Sequence, residues 1–267
     1  MINVQTLNNH VLLVKPEFHI TTGRKKLCVE DLRLPDGSKL PPKCLVSLGS
    51  KKVIDPSEIS VFTKLRDQAK TICEKVGIKF LGGFAIPFDK ADDLLEELDA
   101  IISQFTDART TFLNNYDSIV DRWCNENPSF ENLIRVAVPS HSQVAERLSA
   151  DYSVFQVNPI EGHAPQRLER QVQGLSDQLY RDIANIATKF LDESIFQRRT
   201  QQEKEAGAKP QLRQDGVTQK ALRTVRAMRD KMASLSFLDS SINVVIGQID
   251  SVLRAMPSKG HIRSKPY

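Results

Sequence analysis

Residues 94–123 read LLEELDAIISQFTDARTTFLNNYDSIVDRW, and the organisation of the chain follows from how this stretch is read. Its apolar residues Leu94, Leu98, Ile101, Phe105, Ala108, Phe112, Tyr116, Ile119 and Trp123 recur at steps of three and four. Such steps lay a stripe along one side of an α-helix. Two successive steps of four end at Tyr116, so the seven-residue repeat stutters there. Extended back to Asp89, the pattern predicts one helix of about 35 residues, near 50 Å long at 1.5 Å per residue. The aromatic members of the stripe, Trp123 included, are expected to pack in a core and not to form a cofactor box.

After this helix, Asn127 and Pro128 begin a shorter one, Ser140 and Gln143 have the spacing of a capping box, and residues 152–157 read as a strand. Before it, residues 78–86 read as a strand interrupted by Gly82 and Gly83, which are expected to form a structural turn. Further back, Asp55, Pro56 and Glu58 open a helix with an N-cap, a proline at the first helical position and an acid placed to reach back; Gly77 stops it. The first fifty residues read as strand and turn, with a strand near residues 10–22 and a turn-rich loop over 34–42.

Beyond residues 162–165 the chain reads as helix only. Leu168, Val172, Leu175, Leu179, Ile183, Ile186 and Phe190 form a second heptad-like stripe. Val217, Ala221, Leu222, Val225, Met228 and Met232 begin another helix, and Ser236 is expected to cap the last, ended by Pro257. The expected fold is mainly α: long antiparallel, coiled-coil-like helices with a small antiparallel β head. Its parts are a mixed head with the first long helix over 1–160, a helical region over 161–257 and a disordered basic tail over 258–267.

Composition limits function more than it assigns it. With 40% hydrophobic and 26% charged residues over 267 positions, the chain is an ordinary globular sequence, neither collagen-like nor disordered throughout. No run approaches the roughly 20 apolar residues of a membrane helix, and the start lacks the pattern of a signal peptide. A cytoplasmic protein without a membrane partner is expected. Cys28, Cys44, Cys73 and Cys124 form no C-x-x-C pair, and His10, His19, His141, His163 and His261 lie far apart, so no metal site, cofactor or catalytic residue is assigned. A nucleophilic cysteine whose histidine partner meets it only in the fold is the rarer alternative to a buried, inert thiol. The sequence Leu48 to Lys52 lacks the spacing of a phosphate loop, and Asp92, Asp93, Glu96, Glu97 and Asp99 read as a solvated helix face favoured by the helix dipole.

The net charge is +4, spread unevenly: residues 89–160 are acidic, and the flanking segments are basic. Residues 198–231 hold ten Lys and Arg against four acids. Arg223, Arg226 and Arg229 step by three along one helix flank, and with Arg198 and Arg199 they form the candidate interaction surface. A solvated or protein-facing flank is the commoner reading; a track for a phosphate backbone is the sharper one.

The run Gly23-Arg24-Lys25-Lys26-Leu27, then Glu30-Asp31-Leu32, Leu40-Pro41-Pro42, Leu48-Gly49-Ser50-Lys51, Asp55-Pro56, residues 80–87 and Phe112 to Tyr116 followed by Trp123, resembles the bacterial and phage family called domain of unknown function 3150. The resemblance covers roughly residues 12–160, and the helical remainder is similar in length and character only. It carries no catalytic residues. It implies a protein of mobile elements or phages acting beside a MoxR-type AAA+ ATPase and a von Willebrand A domain protein. The expectation is a non-enzymatic adaptor that docks by helix faces and charge complementarity, with self-association through the long helices as one form of docking. A nucleic-acid-binding accessory factor using the 198–231 helix and the tail is the alternative.

Overall fold

In the computed structural model of the chain, which describes residues 4–28, 31, 48–157, 166–197, 211 and 218–256, the stripe of residues 94–123 is helical but in two pieces. Helix α3 (Phe88–Asn114) runs for 27 residues, and α4 (Tyr116–Glu126) for 11. The break is the single residue Asn115, at φ −103° and ψ 8°. Its side-chain amide donates to the Thr111 carbonyl at 2.8 Å, a local bond that competes with regular helical geometry. The backbone ladder still runs through it, because Asn115 N–H reaches Thr111 and Ile119 N–H reaches Asn115. The stutter at Tyr116 therefore marks a helix junction, and the expected continuous helix of about 35 residues is corrected to two.

The described chain is mainly helical with a small antiparallel sheet. Ahead of α3 come a short helix α1 (Val4–Asn8), strand β1 (Val11–His19), β2 (Arg24–Lys26), β3 (Ser50–Lys52), helix α2 (Pro56–Val76), β4 (Ile78–Phe80) and β5 (Gly83–Pro87). After α4 come a 3₁₀ turn at Pro128–Phe130, α5 (Glu131–Ala137), α6 (His141–Glu146) and strand β6 (Ser149–Phe155). The C-terminal third supplies α7 (Gln166–Gln173), α8 (Leu175–Phe190), a π turn at Leu191–Ile195, α9 (Gln219–Ser234), a 3₁₀ turn at Ser236–Leu238 and α10 (Ile242–Ala255). The second stripe is also broken by one residue, Gly174, and the last helix starts at Ile242, so Ser236 opens the 3₁₀ turn instead of capping it.

Four strands pair in the order β4–β5–β1–β6, and β2 pairs with β3 alone. The expected strand over 78–86 is a hairpin, with Phe80 opposite Gly83 and a two-residue loop of Leu81 and Gly82. Both loop residues have positive φ, 47° and 80°, as the tightest hairpin loops require. At Gly83 the constraint is space: a Cβ there would lie 2.7 Å from the Val14 carbonyl oxygen of the neighbouring strand.

The chain builds two compact units, each from separated segments. One comprises Met1–Lys15, Ile72–Leu94 and Val154–Tyr267. Its core joins Val4, Leu7, Val11 and Leu13 to Ile78, Phe80 and Ala85, and to Val172, Leu175, Leu179, Met232, Leu235, Leu238 and Ile242. His10 stacks on Phe237 with ring centroids 4.5 Å apart. The other comprises Pro16–Thr71 and Leu95–Ser153. There Phe62 touches Phe105 and Phe112, Phe112 touches Tyr116, and Tyr116 donates its buried hydroxyl to the Pro139 carbonyl at 2.7 Å. The stripe residues Leu98, Ile101, Phe105, Phe112, Tyr116 and Ile119 are buried as expected, but Trp123 is only half-buried, its indole N–H donating to the Lys52 carbonyl at 3.3 Å. The expected boundary at 162–165, the loop over 34–42 and the tail over 258–267 lie outside the described residues.

Apart from Ser236, the caps follow the sequence with one exception. Ser140 and Gln143 form the full capping box of α6. Asp55 caps α2 by accepting from Ser57 N–H at 2.9 Å, whereas Glu58 turns away to pair with Arg122.

Candidate interaction surface

Helix α9 begins at Thr218, whose hydroxyl accepts from Ala221 N–H at 3.1 Å, and buries Leu222, Met228 and Met232. Arg223 and Arg226 emerge exposed from the other side. Among the described residues neither makes an ion pair. Arg229 does not stand with them as a free cation. Its guanidinium grips Asp250 of α10 with two bonds, 2.9 and 3.0 Å, and also reaches Asp230. These bonds hold the Asp250 carboxyl below the ordinary carboxylate range and push the guanidinium further up. Residues 229 and 250 lie at similar distances from the turn between the two helices, so the pair fixes α9 and α10 as an antiparallel hairpin. The expectation that all three arginines are dispensable to packing is corrected for Arg229. Arg198 and Arg199 lie outside the described residues.

On the same hairpin, α10 leaves Val244 64% and Val252 52% exposed, and Gly247, Gln248, Ser251 and Ala255 are exposed beside them without charge. Large apolar residues held in water on one helix face are the surface type that partner helices cover.

One functional-looking residue was not singled out from the sequence. Lys231 is 5% exposed, the one charged side chain in the described core. Its ammonium donates to the Glu74 carbonyl in the last turn of α2 at 2.7 Å and stands 3.7 Å from the Asp182 carboxylate of α8. A cation at a helix C-terminus is favoured by the dipole. Burial nevertheless dominates and lowers its pKa, with Asp182 and Glu74 opposing. The available signal was its spacing: 228, 231 and 235 step by three and four, which sets Lys231 in the apolar stripe between Met228 and Leu235.

Two of the cysteines are poor nucleophiles. Cys73 is buried, and burial pushes its thiol up to about 12, so it is not a thiolate at neutral pH. Burial likewise raises Cys124, and Cys28 is exposed. Among the acids of α3, Asp99 accepts the Tyr152 hydroxyl at 2.8 Å and Asp89 accepts Ser234 at 3.2 Å. Among the described residues no three His, Cys, Asp or Glu side chains gather as metal ligands, and no helix is long and apolar enough to cross a membrane.

Comparison with known proteins adds one relationship. No curated protein and no solved structure matches the chain. The family described as Protein of unknown function (DUF3150) matches residues 8–267, so the likeness runs through the helical remainder as well as through residues 12–160. With that match extending over nearly its whole length, the chain belongs to the DUF3150 family.

Proposed function

We propose that the chain is a non-enzymatic adaptor of a phage or mobile element, working in the cytoplasm and docking a protein partner through the α9–α10 hairpin. The observation that carries this reading is the hairpin's outward inventory. Arg223 and Arg226 have no described carboxylate partner, and Val244 and Val252 stand exposed on α10, with the exposed Arg254 at the edge of their face. Apolar anchors beside unpaired arginines suit a partner surface that combines apolar pockets with acidic residues. The resemblance noted above makes a MoxR-type AAA+ ATPase and a von Willebrand A domain protein the partners to try first. The two heptad-like stripes support helix-against-helix packing, in the coiled-coil manner, as the mode of assembly within or between chains.

Nucleic-acid binding by the same flank has less behind it. Arg229 is committed to Asp250, which leaves Arg223 and Arg226 as the described unpaired cations of the three. Two guanidinium groups make a short phosphate track.

The test is affinity capture of the ATPase and the von Willebrand A domain protein encoded beside the gene, in the presence of nuclease. Capture by the native chain, and its loss in an Arg223→Gln, Arg226→Gln, Val244→Ser variant of unchanged circular dichroism, is the expected result. Equal capture by the variant would sink the assignment of this surface.

A further inference from the structure

A dense cluster of positive charge lies on the isolated ribbon of β2 and β3. Arg24 pairs with Lys52, Lys25 with Lys51 and Lys26 with Ser50, so five of its six residues are basic. Side chains alternate across a strand. Arg24, Lys26, Ser50 and Lys52 therefore share one face, and all four are exposed; Lys25 and Lys51 share the other and are half-buried.

On the inner face Lys51 has an acidic partner, whereas among the described residues the outer face has none. Lys51, with 13% of its side chain exposed, pairs with Asp31, which also accepts the Cys28 N–H at 2.8 Å. Asp55 lies within electrostatic reach of Lys52, but its two oxygens are taken by Ser57. Among the described residues Arg24, Lys26 and Lys52 make no ion pair. Like charges directly opposite in a ribbon destabilise it, by roughly 0.2 to 1 kcal/mol per pair. This ribbon holds two such pairs in register. It is locked at both ends by backbone bonds, from Val53 N–H to the Gly23 carbonyl at 2.8 Å and from Leu27 N–H to the Gly49 carbonyl at 3.1 Å. Val53 and Ile54, which follow it, are fully buried. A rigidly anchored arrangement that opposes local electrostatics is a mark of a functional surface.

Beside the ribbon a cavity of about 480 Å³ continues the positive charge. Arg24 and Lys25 line it together with Arg147, His19 and the hydroxyls of Thr21 and Thr22, against one acid, Glu146.

We infer that the β2–β3 ribbon is a site for duplex DNA, holding the phosphate backbone through Arg24, Lys26 and Lys52. A two-stranded ribbon fits the major groove, which is about 12 Å wide. The two cations of β2 are spaced by two residues, roughly 7 Å, comparable to the step between phosphates along one strand. A single strand is the poorer fit. The adjacent aromatic, Trp123, is half-buried with its N–H turned to the Lys52 carbonyl, so it offers bases no open stacking platform. With its three cations on phosphates, the outer face leaves only Ser50 for base edges, and a hydroxyl discriminates poorly between bases, so binding is independent of sequence. This site uses none of the residues of the α9–α10 surface, and an adaptor with both would bring its protein partner to DNA.

The experiment is a titration of the full chain with a 20-base-pair duplex between 50 and 200 mM salt, read by anisotropy of labelled DNA and by the fluorescence of Trp123, the single tryptophan. Three phosphate contacts contribute a log-log salt slope of about 2.7, so over that range they remove roughly 40-fold of affinity. The Arg24→Gln, Lys26→Gln, Lys52→Gln variant should lose that slope and bind weakly, while Arg223→Gln, Arg226→Gln keeps both affinity and slope. Should the triple variant misfold, Lys26→Gln alone, opposite Ser50, should lower the slope by about 0.9. The inference is overturned if the variants keep the native slope, if the native chain does not bind the duplex at 50 mM salt, or if poly-glutamate displaces the duplex at equal charge concentration. The last outcome would assign the ribbon to an acidic protein. Because protein capture is measured under nuclease with the other surface altered, the two proposals fail independently.

Discussion

Replacing Gly83 by alanine tests a close backbone approach in the four-stranded sheet. The added carbon would sit 2.7 Å from the Val14 carbonyl oxygen, 3.3 Å from the Val14 carbonyl carbon and 3.2 Å from the Lys15 Cβ. A carbon and a carbonyl oxygen rest no closer than about 3.3 Å, so β5 must withdraw from β1 by roughly 0.6 Å at this point. The neighbouring pair, Val14 opposite Phe84, then stretches. Val14, Ala85 and Ile86 are fully buried, so the strands have no free volume to move into. Overpacking costs about 1 to 3 kcal/mol, and a weakened ladder bond adds about 1, for a total near 2 to 4 kcal/mol. Gly82 is the internal control. It has φ +80°, and a Cβ added there would meet nothing within 4 Å, so Gly82→Ala carries only the left-handed backbone penalty, about 1 to 2 kcal/mol. Urea unfolding followed by far-ultraviolet circular dichroism, with hydrogen exchange at the 78–87 amides, would rank the two. Trp123 lies in the other unit and reports separately. A Gly83→Ala chain as stable as Gly82→Ala would refute the tight β1–β5 approach.

Leu81 occupies the other left-handed position of the same loop, φ 47°, and is 45% exposed. Leu81→Asn supplies the preferred residue there and should stabilise the chain by up to about 1 kcal/mol, seen as a higher melting temperature; a lower one would contradict the turn geometry. Lys231 should show itself in the pH dependence of stability. Its folded pKa lies below the ordinary 10.5, so between the two values the unfolded chain holds a proton that the folded chain has released. Stability from this group therefore rises with pH across that window and levels off above 10.5. The stability difference between native chain and Lys231→Met should grow in favour of the native chain as pH rises towards 10.5, and a difference constant from pH 7 to 10.5 would show that Lys231 is not desolvated.

The helices were legible because periodicity is a local signal: one apolar residue every three or four positions specifies a buried side whatever it packs against. That signal placed Phe105, Phe112, Leu179 and Met228 correctly in cores. It resolved single-residue junctions poorly: Asn115 left only the stutter at Tyr116, and Gly174 left the second stripe unbroken. It also put Trp123 too deep, because the buried side of α4 runs through Tyr116, Val120 and Cys124 in steps of four and leaves Trp123 at its edge. The β2–β3 ribbon escaped because three-residue strands of lysine and arginine have neither apolar alternation nor high strand propensity, and only pairing makes them strands. At the candidate surface, spacing revealed the helical step of Arg223, Arg226 and Arg229 but not the partner. Asp250 lies 21 residues on, and only the α9–α10 turn brings it to Arg229.

The order in which the ribosome delivers these segments has its own consequence. The unit built from Pro16–Thr71 and Leu95–Ser153 is fully synthesised once Ser153 has emerged. The other shares one core between Val4 and Ile242, residues at almost opposite ends of the chain. At ordinary translation speeds the intervening stretch of about 90 residues takes on the order of 5 to 20 s to make. Throughout that interval Val4, Leu7, Val11 and Leu13 have Ile78, Phe80 and Ala85 beside them, while their partners from Val172 to Ile242 are not yet translated. The N-terminal segment thus keeps one side open longest in the nascent chain, and a stop codon before α7 would leave that side permanently uncovered.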